Sequence, residues 1–178
     1  MRTCKQCKIK FEPQYNKIQN VCSLSCAIEL TNKRNNIAKN KTWDKEKKKR
    51  KDALKTNSDY IRELQVIFNK FIRLRDKDKG CISCNKPLNT KFDAGHFYST
   101  GSYPELRFNE DNVFGQCVHC NQHKHGNLIE YSLNLPKRTT KERFNKLSEL
   151  SNTPRKYTIE ELKGLKVFYK EKIKQLEK

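Results

Sequence analysis

Between Cys81 and Asn127 the chain reads CISCNKPLNTKFDAGHFYSTGSYPELRFNEDNVFGQCVHCNQHKHGN, a stretch that holds two Cys-x2-Cys pairs and all four histidines of the sequence. Two close thiol pairs separated by enough chain for a hairpin can collect Cys81, Cys84, Cys117 and Cys120 around one Zn2+, with Zn–S distances of ~2.3 Å. Four thiolates close the coordination sphere, so this zinc is structural. His96, Asn112, Asn121, His123 and His125 are left for other chemistry, and the chemistry that suits them is phosphodiester hydrolysis. That reaction needs a base to take a proton from water and positive charge on the developing phosphorane.

His96 is the candidate base, because imidazole titrates near neutral pH and Gly95 beside it leaves room for a close approach by DNA. A hard divalent cation, Mg2+ or Mn2+, would take oxygen ligands and keep several waters. Asp93 offers a carboxylate and Asn121 an amide oxygen. If a helix opens at the second knuckle, Asn121 and His125 share a face, so His125 ranks above His123 as a metal ligand. His123 then falls to the phosphate or the leaving group. Asn112 is placed to bond the backbone near His96 and fix the imidazole, and Arg107 and Lys124 are phosphate contacts. Each has a plainer rival: Asn121 can simply cap a helix, and His119, inside the knuckle, is read as a satisfied surface or core residue.

A second four-cysteine cluster, Cys4, Cys7, Cys22 and Cys26, has 14 residues between its pairs. It predicts a small zinc module over residues 1–30, with Phe11, Tyr15 and Val21 as a minimal core. Residues 31–57 form a basic helical arm that includes Lys45, Lys47, Lys48, Lys49, Arg50 and Lys51. With almost no apolar stripe, the arm is either a solvated spacer or a phosphate-backbone contact. A helix with a core face follows from Ser58, its expected N-cap, to Asp76. Phe92 to Ser99 reads as a strand, Leu106 to Phe114 as a second strand or loop, and Cys117 to Asn127 as a helix. That order places a ββα-metal core with its leading helix over 58–131. After Asn127 the chain is irregular and basic to Thr140; in the C-terminal region, 132–178, KERFNKLSEL is a short helix and Asn152-Thr-Pro154 breaks it. A Thr158/Glu161 capping box opens a last helix whose apolar stripe packs on the Ser58 helix or on a second copy. The fold class is therefore small α+β, zinc-stabilised, a ββα-metal core flanked by long helices.

Composition narrows the partners. Of 178 residues, 39 are Lys or Arg and 20 Asp or Glu, a net charge of +19, which points to a polyanion and first to nucleic acid. Only 34% of residues are hydrophobic, so metal must supply folding energy that the core lacks. The basic arm has no apolar face for a membrane surface, and no apolar run reaches the ~20 residues of a span. All eight cysteines lie in close pairs and no signal peptide opens the chain, so reduced thiols in a cytoplasmic compartment are expected.

The pattern Cys-x2-Cys, Asp-x2-His, Asn, Cys-x2-Cys-Asn resembles the HNH, or His-Me finger, nucleases. More specifically, FIRLRDKDKGCISC, FDAGHFYSTG, LRFNEDNV and QCVHCNQHKHGNLIEY are similar to the NinG, or Rap, recombination proteins of lambdoid phages. The resemblance is specific over residues 68–131. It implies a phage- or prophage-encoded, structure-selective endonuclease in the bacterial host, acting on Holliday junctions and D-loops. Phage endonuclease VII similarly has an Asn ligand directly after its last zinc cysteine, which matches Asn121. Where the usual HNH pattern has an acid or His immediately before the base, this chain has Gly95, and Asp93 stands three residues earlier; a strand bulge at Gly95 would bring it in. Two symmetric cuts imply a homodimer. The rival readings are an HNH nuclease of ordinary duplexes and a non-catalytic zinc protein that binds nucleic acid.

Overall fold

The computed structural model describes residues 1–88, 91–153 and 155–178 and divides into two compact units, Met1–Lys55 and Thr56–Lys178. Among the described residues, two small two-stranded sheets and five α-helices make an α+β arrangement. None of the described helices is long and apolar enough to cross a membrane.

The first unit opens on β1 (Arg2–Thr3) and β2 (Lys10–Phe11), paired antiparallel with Arg2 opposite Phe11. Helix α1 (Leu24–Ala53) starts inside the cysteine module, where the Ser23 hydroxyl accepts from the Cys26 N–H. Nothing in α1 is buried, and the run from Lys45 to Lys51 is exposed along its length. The expected core residue Tyr15 is 85% exposed. It lies in a loop whose backbone is held by the Gln19 side chain rather than by packing. Cys4 is the buried hydrophobic residue of this unit, so little but its metal site can hold the module together.

The second unit begins with α2 (Asn57–Asp76). Its N-cap is Thr56, two residues before the expected Ser58, because Asp59 reaches back to complete a capping box. Leu64, Phe68, Phe71 and Ile72 of α2 pack with Leu162, Tyr169 and Ile173 of α5 (Ile159–Leu176), and Phe68 meets Tyr169 edge-on at 4.9 Å. The stripe of α5 is thus used within the chain.

Between these helices and a second layer lies a ribbon of β3 (Phe92–His96) and β4 (Val113–Cys117). Its antiparallel register is regular from Phe92 opposite Cys117 to His96 opposite Val113, with no bulge at Gly95. Ala94 and Val113 face α2 and α5. Phe114 packs on the other side with Ile82, Leu106, Tyr131, Leu135 and Leu147. Tyr131 and Leu135 lie on α3 (Leu128–Arg138), where the sequence suggested irregular chain, and Leu147 on α4 (Lys141–Leu150). Pro136 sits within α3, in its last turn. Pro154, the expected helix breaker, lies outside the described residues, and α4 has already ended at its Ser151 cap.

The expected helix from Cys117 to Asn127 is also absent. A single π-helical turn, His119–His123, takes its place, and the chain then turns through left-handed residues at His125 (φ 47) and Asn127 (φ 44).

Candidate metal and catalytic centre

Both cysteine clusters bring their four sulfurs within 4.8 Å of one another, and each can hold a zinc ion. Sulfur contacts of 3.5 and 3.6 Å in the first cluster and 3.8 Å in the second are far beyond a disulfide. They match the ~3.8 Å edge of a tetrahedron with ~2.3 Å Zn–S bonds.

The knuckles share one backbone design. Cys4 N–H donates to Ile9 O (2.9 Å) and Lys8 N–H to Cys4 O (3.0 Å); Cys81 N–H donates to Lys86 O (2.8 Å) and Asn85 N–H to Cys81 O (2.9 Å). The residue after the second cysteine is left-handed in both, Lys8 at φ 63 and Asn85 at φ 58. That turn directs N–H groups at sulfur. Burial opposes ionisation of Cys4, but N–H groups of Cys7, Cys22 and Gln6 outweigh it and bring the thiol down to about 6. Cys81 is lowered in the same way, with burial overcome by N–H groups of Cys84, Cys117 and Ser83. The neighbouring thiols of Cys7 and Cys26 push Cys22 up to about 12, so a bound cation must displace protons.

The second cluster clamps the ends of the β3–β4 ribbon, which carries the remaining candidates. The His96 ring nitrogen Nε2 lies 3.0 Å from Arg107 O. A carbonyl only accepts, so Nε2 carries the proton and Nδ1 keeps its lone pair in the neutral ring. Burial, with help from the Arg107 charge, holds the His96 pKa below its ordinary value against the pull of the Arg107 and Ala94 carbonyls. The neutral, proton-accepting form therefore persists to lower pH than for a free imidazole.

Asn112 is fully buried and acts through backbone. Its Oδ1 accepts from Tyr98 N–H (2.7 Å), and its Nδ2 donates to Tyr98 O and Leu106 O, both at 3.0 Å. It ties the chain just after His96 to the turn just before Arg107, and so fixes both sides of the imidazole contact. The Arg107 guanidinium is itself engaged, with Thr100 O (2.9 Å) and Gln65 Oε1 (3.4 Å), which competes with a purely phosphate-binding role.

At the other end of β3, Asp93 Oδ2 accepts from Asn121 Nδ2 (3.0 Å) and Gln122 Nε2 (2.8 Å). Asp93 meets Asn121 on a regular ladder, with no bulge at Gly95. A carboxylate and two amides form a hard, oxygen-capable donor set that fits a cation of the Mg2+ or Mn2+ class, with an amide turned to present its oxygen. Alternation along β3 puts Asp93 and Gly95 on one face and Ala94 and His96 on the other. The carboxylate and the imidazole therefore flank Gly95 without touching.

The helical argument for His125 does not hold, because the π turn ends at His123 and His125 has left-handed backbone. His123 stacks beside His119 with ring centroids 6.0 Å apart. His123, Lys124 and His125 are exposed, and among the described residues none of the three hydrogen-bonds Asp93 or Asn121. A Cβ at Gly95 would fall 2.2 Å from Gln116 Oε1, so the glycine makes room for a buried side chain.

The family described as Bacteriophage Lambda NinG protein matches residues 1–178. The chain belongs to the NinG family. Protein ninG of Escherichia phage lambda is 46% identical over 127 residues, covering 71% of this chain and 62% of that protein. Protein ninG of Escherichia phage 933W is 37% identical over 188 aligned positions, covering 98% of this chain and 93% of that protein. The H19B phage protein of the same name is 39% identical over a similar span. No solved structure matches the chain. Within this NinG-family protein, Gln122 is the site neighbour that the sequence did not suggest, since a glutamine beside a zinc cysteine carries no motif. Its signal is its position directly after Asn121 in a turn wide enough to aim both amides at one carboxylate.

Proposed function

We propose that this NinG-family protein is a divalent-metal-dependent endonuclease of the ββα-metal class that cuts branched DNA, with His96 as general base. The observation that carries the reading is the convergence of Asp93 with Asn121 on a zinc-clamped ribbon whose other end holds a neutral, carbonyl-anchored histidine.

Arg107 O fixes the Nε2–H of His96, which leaves Nδ1 to take a proton from water as the water oxygen attacks phosphorus and the P–O bond to the leaving sugar breaks. Asp93 and Asn121 would hold the cation, which when bound supplies charge to the phosphate oxygens. A homodimer would supply the two cuts that a junction requires.

The test is cleavage of a labelled four-way junction with and without Mg2+. His96→Ala and Asp93→Asn should abolish product yet retain two zinc ions and junction binding. Nicking by His96→Ala at the wild-type rate would refute the mechanism. Equal rates on the junction and on its component duplex would move the reading to a nuclease of ordinary duplexes.

A further inference from the structure

Beside Asp93 lies a groove of about 570 Å³ whose walls are α2 and the start of β3. Its charged lining is Lys70, Arg73, Lys77, Lys91 and Asp93, with Leu74 and Phe92 beneath them. Helix α2 explains the wall. Residues 70, 73 and 77 repeat at helical spacing on the side away from the buried Phe68, Phe71 and Ile72. The apolar stripe of this helix packs on α5, and its basic stripe faces the groove.

We infer that this groove seats the phosphodiester backbone of a duplex arm of the substrate and delivers it to the Asp93–Asn121 pair. Three features carry the inference. First, the charge is available: Lys70 pairs with Glu177 at 2.7 Å, whereas Arg73, Lys77 and Lys91 make no ion pair among the described residues. Three unpaired cations, with Lys70 beside them, surround one carboxylate and form a positive concavity, and its low-dielectric floor focuses the field. Second, the spacing fits. From Lys70 to Lys77 α2 rises about 10 Å, which spans about three phosphates of one strand at ~3.4 Å of axis each. Third, α2 runs beside β3 along the whole candidate centre. Gln65 meets Arg107 at the His96 end, and Arg73 and Lys77 line the same groove as Asp93 at the other. A strand laid along α2 passes both ends of the site.

The inference rests on the nuclease reading for the word substrate, but its test does not need cleavage. The zinc-loaded full-length protein with Arg73→Ala and Lys77→Ala together is titrated against a fluorescent four-way junction, without Mg2+, from 50 to 200 mM salt. Losing two phosphate contacts should reduce the log-log salt slope by about 1.8 and weaken binding roughly 60-fold at 0.1 M salt. Lys141→Ala with Lys146→Ala, exposed on α4, serves as the control and should leave the slope unchanged. If the alanine pair fails to fold, judged by zinc content and circular dichroism, Arg73→Gln with Lys77→Gln is used instead. An unchanged slope in the groove variant, or an equal loss in the control, overturns the assignment. A groove-dependent slope in a protein that cuts no junction with Mg2+ upholds the groove and sinks the nuclease reading.

Discussion

Replacing Asp76 by Ala should destabilise the second unit by about 3 kcal/mol. The carboxylate is fully buried, and its partner Arg75 is 18% exposed. Its Oδ2 accepts from Gly115 N–H and Arg75 Nη2, both at 2.8 Å, and its Oδ1 from Arg75 Nε (2.9 Å) and Lys79 Nζ (3.2 Å). Arg75 in turn donates to Val113 O (2.7 Å) and Glu110 O (3.0 Å) and lies over the Phe114 ring. This node fastens the end of α2 to β4, and through β4 to the ribbon that holds the candidate site. Removing one partner of a buried pair costs about 3–5 kcal/mol; the lower end applies here because Arg75 keeps two carbonyls. Burial opposes the charge on Asp76, but the Arg75 hydrogen bonds and charge and the Gly115 N–H outweigh it and hold its pKa below the ordinary carboxylate value. The folded pKa is depressed, so this stabilisation is complete above the unfolded value of ~3.9 and is lost as pH falls through the folded value. Unfolding should be followed by far-UV circular dichroism with zinc present, since Trp43, the one tryptophan, lies in the other unit. Asp76→Asn should lose stability at neutral pH, and the gap to the wild type should narrow as pH falls below ~4. A difference under 1 kcal/mol at neutral pH, or one that does not change in acid, would refute the reasoning.

Three further outcomes follow from the same geometry. Gly95→Ala should cost about 1–3 kcal/mol by overpacking against Gln116, and Gln116→Ala should recover part of it in the double variant; an effect on cleavage without an effect on stability would restore the expected DNA-approach role. Asn112→Ala orphans the Tyr98 N–H and the Tyr98 and Leu106 carbonyls, so it should cost about 3 kcal/mol in denaturant unfolding; a loss below 1 kcal/mol would contradict the buried network. Metal analysis should find two zinc ions per chain, and Cys4→Ser should lose one while the second unit still melts cooperatively; retention of both would show that the first cluster does not hold zinc.

Features set by local spacing were legible in the sequence. The paired cysteines, the apolar repeat of α2 and α5, the Thr158/Glu161 box and the KERFNKLSEL helix all depend on residues within a turn or two of one another. Features set by tertiary contact were not. Helix α3 was hidden because Asn127 caps it with left-handed backbone, Pro136 sits in its last turn, and the exposed Ile129 and Leu133 blur the stripe made by Tyr131 and Leu135. Thr56 displaced Ser58 as the cap of α2 because the choice was made by Asp59, three residues on. Asp76 reads as an ordinary helix-ending carboxylate until Gly115, 39 residues away, is seen to donate to it.

The candidate site divides along the same line. Asp93 and His96 stand out by residue type and by their place between the knuckles, and Asn121 by its place directly after the second, but the means by which Asp93 and Asn121 meet does not show in their spacing. A bulge in β3 would have turned Asp93 toward His96 and left Asn121 to follow on a helix. Instead β3 stays regular, and the adjustment lies in the π turn, whose extra residue per turn lets consecutive side chains, Asn121 and Gln122, reach the same carboxylate oxygen. Because the second zinc cluster contributes Cys117 and Cys120 at the very start of that turn, its ion would set the turn's position. Stripping it should therefore separate Asn121 from Asp93 before it disturbs His96, which is held by Arg107 and Asn112 on the far side of Gly95.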